Sequence, residues 1–78
     1  MRGEIFKKNI RGYNFSFEKL MLTNNETLFF VTSNMPGERS FFISLINGRW
    51  QILYHNILGR EVLSMELQFA EALKEEGY

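Results

Sequence analysis

Seventy-eight residues bound one domain with one modest core, since a chain this short buries only about 60 to 65% of the surface its unfolded form exposes. With 45% hydrophobic residues, eight Phe and one Pro it is too apolar to stay disordered, while zero Cys and one His exclude a disulfide framework, a thiolate metal site and a histidine cluster. Nine Lys and Arg offset nine Glu, so no net charge announces a nucleic-acid partner.

The opening MRGEIFKKNI carries charges but no apolar signal core, and no run approaches the roughly 18 apolar residues of a spanning helix, which predicts a cytoplasmic protein without membrane contact. Residues 1–12 show no clean period. Ile5, Phe6 and Ile10 are their only anchors, and they read either as a frayed arm or as a short extra strand. From Tyr13 the alternation is plain, with Tyr13, Phe15 and Phe17 on one side and Asn14, Ser16 and Glu18 on the other, the pattern of a half-buried strand. Leu20, Met21 and Leu22 then run on without alternating, so either a bulge shifts the phase near Glu18 and Lys19 or both faces are covered there.

Thr23 to Glu26 reads as a turn, because Asn tolerates left-handed backbone. Thr27 to Thr32 follows as a strand with apolar residues on both faces, Leu28 and Phe30 against Phe29 and Val31. Pro36-Gly37 sets a loop over Ser33–Arg39. Asn47-Gly48 then divides two β-branched and aromatic runs, which is a hairpin signal, since a type I′ turn needs positive φ at both central residues. The register pairs Ile46 with Arg49, Leu45 with Trp50, Ser44 with Gln51 and Ile43 with Ile52, continuing to Phe41 with Tyr54. Phe41, Ile43, Leu45, Trp50, Ile52 and Tyr54 fall on one face, read as core.

Residues 60–76 read as the only helix, with Glu61 in its first turn and Gly77 as its stop. Its apolar stripe is drawn through Val62, Leu63, Met65, Leu67, Phe69, Ala70 and Leu73. Residues 1–78 therefore form a single α+β domain: a sheet over 13–55, a four-stranded antiparallel meander, with the helix packed on one of its faces (ββββα).

Five cations against two Glu leave residues 1–19 at +3, and two cations against five Glu leave 60–78 at −3. That asymmetry reads either as a basic arm for nucleic acid or as solubilising charge. Glu66 sits within the helical stripe, where an ionised carboxylate is costly unless paired. It is read as a buried structural carboxylate, bonded to a Tyr hydroxyl, the Trp50 indole or a backbone N–H of the sheet. His55 alone offers no triad, and no phosphate-cradling glycine motif is present. No catalytic, cofactor or metal residue is assigned, and the chain is expected not to be an enzyme.

Gly12 and Phe15, Phe29-Phe30-Val31, Gly48-Arg49-Trp50-Gln51-Ile52, and Glu66 with Ala72-Leu73 resemble the pattern of short uncharacterised bacterial proteins in which a four-stranded sheet precedes one helix. That resemblance implies a fold and brings no activity. The element order is also similar to the four-strand-plus-helix unit of single-strand DNA-binding coactivators, which would imply dimers that bind single strands, although their lysine-rich strands have no counterpart here.

The sheet face away from the helix would show Phe42, Ile46, Arg49, Leu53 and His55, more apolar surface than a small monomer leaves wet. The expected function is a non-enzymatic protein-interaction module that self-associates as a homodimer through that surface, or else binds a small protein partner there. The alternative is a single-stranded nucleic-acid binder that uses the same face and the basic amino-terminal arm.

Overall fold

A computed structural model describes residues 2–21, 27–53 and 58–78. Five strands, β1 (Arg2–Ile10), β2 (Tyr13–Met21), β3 (Thr27–Ser33), β4 (Phe41–Ile46) and β5 (Arg49–Ile52), form one antiparallel meander in sequence order. Two helical pieces follow, α1 (Arg60–Ser64) and α2 (Glu66–Glu75), and they cover one face of the sheet. The architecture is α+β as expected, but with five strands rather than four.

The added strand is residues 2–10, a full nine-residue edge strand and not a frayed arm. Arg11 and Gly12, with φ of 54° and 86°, make a two-residue turn that brings Ile10 opposite Tyr13. Both central residues need positive φ, which Gly12 meets freely and Arg11 adopts against its preference. Arg11 is held there from outside: its guanidinium donates to Ser64 Oγ at 2.8 Å and to the Ser64 carbonyl at 3.5 Å. The register irregularity lies in β1 between Arg2 and Ile5, whereas β2 and β3 pair without interruption to Met21 and Thr27, so no bulge sits at Glu18 and Lys19.

The Asn47-Gly48 hairpin matches its sequence pattern. Asn47 and Gly48 have φ of 52° and 79°, and the pairs Ile46–Arg49, Leu45–Trp50, Ser44–Gln51 and Ile43–Ile52 are all formed. Leu53 N–H donates to the Phe42 carbonyl at 2.9 Å, extending the ladder one step further. Tyr54, His55 and the Thr23–Glu26 turn lie outside the described residues. In the β3–β4 loop the Glu38 N–H closes onto the Met35 carbonyl around Pro36 and Gly37 (φ 73°), and Met35 itself tucks into the core.

The core lies between sheet and helix: Phe15, Phe17, Phe29, Val31, Phe41, Ile43 and Ile52 meet Val62, Met65, Phe69, Ala72 and Leu73. Phe69 is its hub, with ring centroids 4.9 Å from Phe15, 5.4 Å from Phe41 and 6.1 Å from Phe17. Trp50 and Leu45 belong at the margin. Trp50 is partly buried with its ring edge-on to Phe29 at 5.4 Å, and Leu45 is half exposed, because β5 is the edge of the sheet and the helix covers only part of it.

The helix is not continuous. Met65 breaks it with φ −93° and ψ 4°, at the point where the Ser64 hydroxyl donates back to the Glu61 carbonyl and Arg11 takes the Ser64 carbonyl. The buried stripe is narrower than the sequence reading, running through Val62, Met65, Phe69, Ala72 and Leu73, while Leu67 is 78% exposed. At 100° per residue Leu67 falls nearly opposite Met65 and Phe69, so its apolar character had widened the stripe wrongly.

The C-terminal turn locks both edges of the sequence together. Tyr78 N–H bonds the Leu73 carbonyl and Gly77 N–H the Lys74 carbonyl, with Gly77 at φ 93°, which is a Schellman cap. The cap turns Tyr78 onto the sheet, 4.9 Å from Phe29 and 6.1 Å from Phe6 between ring centroids.

Candidate interaction surface

The antiparallel register sorts the side chains of each strand between the two faces. Away from the helix, one cross-strand row holds Ile5, Glu18, Phe30 and Phe42, with Leu53 beside Phe42 through its backbone bond. The next row holds Leu20, Leu28, Ser44 and Gln51, and beyond it stand Ile46 and Arg49. Phe30 and Phe42 lean on each other at 5.1 Å and are only half-buried. Ile5 is 51% exposed and Ile46 38%. Among the described residues, no helix or further strand packs over this face.

Four of the five surface residues expected from sequence are therefore brought together. Phe42 and Leu53 are half-buried side by side, and Ile46 and Arg49 are exposed as a directly paired couple at the hairpin end. His55 lies outside the described residues. The end of the same face beside the β1–β2 turn is polar. Lys7, Ser16 and Thr32 form one row, and Asn9, Asn14 and Asn34 another, in which Asn9 Nδ2 donates to Asn14 Oδ1 at 3.0 Å and Asn14 N–H to Asn34 Oδ1 at 2.9 Å.

Glu66 is half-buried rather than buried, on the flank of α2 that faces β5. Its Oε2 accepts the Ile52 backbone N–H at 2.9 Å. The register explains why that donor is available: Phe42 and Leu53 are a bonded pair, so Ile52 and Trp50, alternating with it, aim their N–H and C=O groups away from β4. Glu66 thus supplies one of the acceptors that a further strand would have supplied. It is the backbone alternative among the partners the sequence left open.

The charge asymmetry is largely spent inside the molecule. Lys8 Nζ lies 3.5 Å from Glu75 and 3.4 Å from Glu76, Arg11 holds Ser64, and Lys19 stands 5.0 Å over the Tyr78 ring. All three cations lie on the helix side of the sheet, which leaves Lys7 and Arg49 as the described cations of the open face. Burial pushes the Tyr78 phenol above its usual range near 10, helped by its hydrogen bond to Glu4 and by the negative charge of Glu4 and Glu76.

Sequence reasoning missed the Tyr78 latch, the Arg11–Ser64 tie and the groove between β5 and α2. Gly77 followed by an aromatic was a signal for the first, because a Schellman cap places an apolar residue just past its glycine. Arg11-Gly12 was a signal for the β1–β2 turn, though Arg is a rare residue at that position. Among the described residues, no helix is long and apolar enough to cross a membrane and no group of three His, Cys, Asp or Glu is placed to hold a metal ion. Comparison with protein-family models, with curated proteins and with solved structures finds no match for the chain.

Proposed function

We propose that the protein is a small, cytoplasmic, non-enzymatic interaction module that self-associates as a homodimer through the open sheet face. The observation that carries this reading is the apolar belt of Ile5, Leu20, Leu28, Phe30, Phe42, Ile46 and Leu53 on the face opposite the helix. Five strands about 4.8 Å apart and running from roughly 30 Å (β1, β2) down to roughly 13 Å (β5) offer on the order of 500 Å² per copy, just under the lower end of what stable specific interfaces bury. A micromolar dimer is the matching expectation. A cysteine-free chain places no demand on an oxidising compartment, which accords with the cytoplasm.

The nucleic-acid reading draws less support from the charges, since Lys8, Arg11 and Lys19 are engaged on the helix side. Sedimentation equilibrium of the wild type and of Phe42→Glu separates the two. The dimer reading expects association in the wild type that persists at high salt, and a folded monomer in the variant. Oligonucleotide binding that collapses as salt rises, from a protein that stays monomeric, would replace it with the nucleic-acid reading.

A further inference from the structure

Strand β5 has one neighbour among the described residues, β4, and its other side is an edge. The register aims the Trp50 N–H and C=O outward there, and an open groove of ≈ 930 Å³ runs between this edge and α2. Leu45, Trp50, Leu67 and Ala70 give the groove its apolar walls; Arg49 and Lys74 stand at its rim together with Glu66 and Glu71, so its charge is mixed and only Arg49 lies on the β5 side. Leu67, 78% exposed, and Leu45, 52% exposed, are the two most exposed large hydrophobic side chains described, and both line this groove. Glu66 closes the Ile52 end of the edge.

We infer that this groove binds an extended peptide segment of another protein, which adds to β5 as a sixth strand and places one apolar side chain between Leu45, Trp50 and Leu67. The backbone sets the partner's form. Outward N–H and C=O groups on one residue are satisfied together by a single residue of an antiparallel strand, which would stand opposite Trp50. The alternation of the sheet then sets its side chains: the residue opposite Trp50 points to the helix side, into the groove, and the residue after it stands beside Arg49 on the open face. Arg49 is exposed and makes no ion pair with a described residue, so an acidic side chain fits that position. The segment is thus an apolar residue followed by an acidic one, in extended conformation. It meets the Phe42 belt only at Arg49, beside Ile46.

Trp50 is the only tryptophan in the chain, so its fluorescence reports the site directly. The probe is the blocked tripeptide Thr-Leu-Glu, which ends opposite Gln51 and so stops short of the Glu66 cap at Ile52, titrated into the full chain. Saturable change in Trp50 emission is expected. N-methylation of the central leucine, whose N–H would meet the Trp50 carbonyl, should weaken binding about tenfold. N-methylation of the following glutamate, whose N–H faces away, should leave it nearly unchanged. Leu67→Glu should weaken binding by a similar factor without altering the circular dichroism spectrum, and Phe42→Glu should leave the titration as it was, which keeps this test apart from that of the open face. No emission change, equal loss with both N-methylated peptides, or binding indifferent to Leu67→Glu would overturn the inference. So would a peptide-independent emission change on concentrating the protein, which would give the groove to a second copy.

Discussion

The two faces of one sheet carry similar residues and meet different fates. On the helix side Phe15, Phe17 and Phe29 are fully buried; on the other side Phe30 and Phe42 pack on each other and stay half open. A single helix can cover one face, so an apolar pattern on both faces leaves one unmatched. The difference teaches that stability and function are divided between the faces: the covered one holds the monomer together, and the open one is the surface through which we propose it associates.

The sharpest way to break that comparison uses adjacent residues. Phe29→Ala empties a site with no exposure and should cost about 3 to 5 kcal/mol by denaturant unfolding, enough to unfold a domain of this size. Phe30→Ala, one position along and on the other face, should cost about 1 to 2 kcal/mol in dilute solution, since only part of its surface is removed from water. Equal losses would mean that the open face is covered within the monomer.

At the edge, Glu66→Ala leaves the Ile52 N–H without its carboxylate and should cost about 1 kcal/mol, whereas Glu66→Gln keeps an acceptor at nearly the same volume and should cost less. Thermal unfolding of both variants checks the difference, and a larger loss for Gln than for Ala would contradict a backbone-capping role.

The smallest effect is expected at alkaline pH. The folded state raises the Tyr78 pKa, so it favours the neutral phenol. Stability from this group is complete below its unfolded value near 10 and is lost as pH rises through the folded value. Tyr78→Phe keeps the ring contacts with Phe29 and Phe6 but cannot ionise, so its melting temperature should fall less steeply than that of the wild type above pH ~10. Parallel curves would show that the phenol does not sense the fold.

Much of this arrangement was legible in the residues. Asn47-Gly48 set the hairpin and its register because only a few residue types accept that turn, and period-two alternation sorted Phe15 and Phe17 to the core. Other features were carried by contacts distant in sequence. Residues 2–10 lack clean alternation, since Lys8 lies on the core side, where Glu75 and Glu76 neutralise it from the far end of the chain. At the helix break Arg11 reaches Ser64 across 53 positions, a contact that no local propensity records. The candidate surface followed from the hairpin register for Phe42, Ile46, Arg49 and Leu53. The groove at β5 did not, because it depends on where α2 lies over the sheet and on Leu67 facing outward.

The division between the faces is tested most directly by aromatic and methyl NMR spectra of the wild type followed on dilution across the micromolar range. Concentration-dependent shifts are predicted for Phe30, Phe42, Leu28 and Ile46, with Phe15, Phe17 and Phe69 unmoved. Spectra that do not change with concentration at any of these positions would contradict the proposal that a second copy covers the open face.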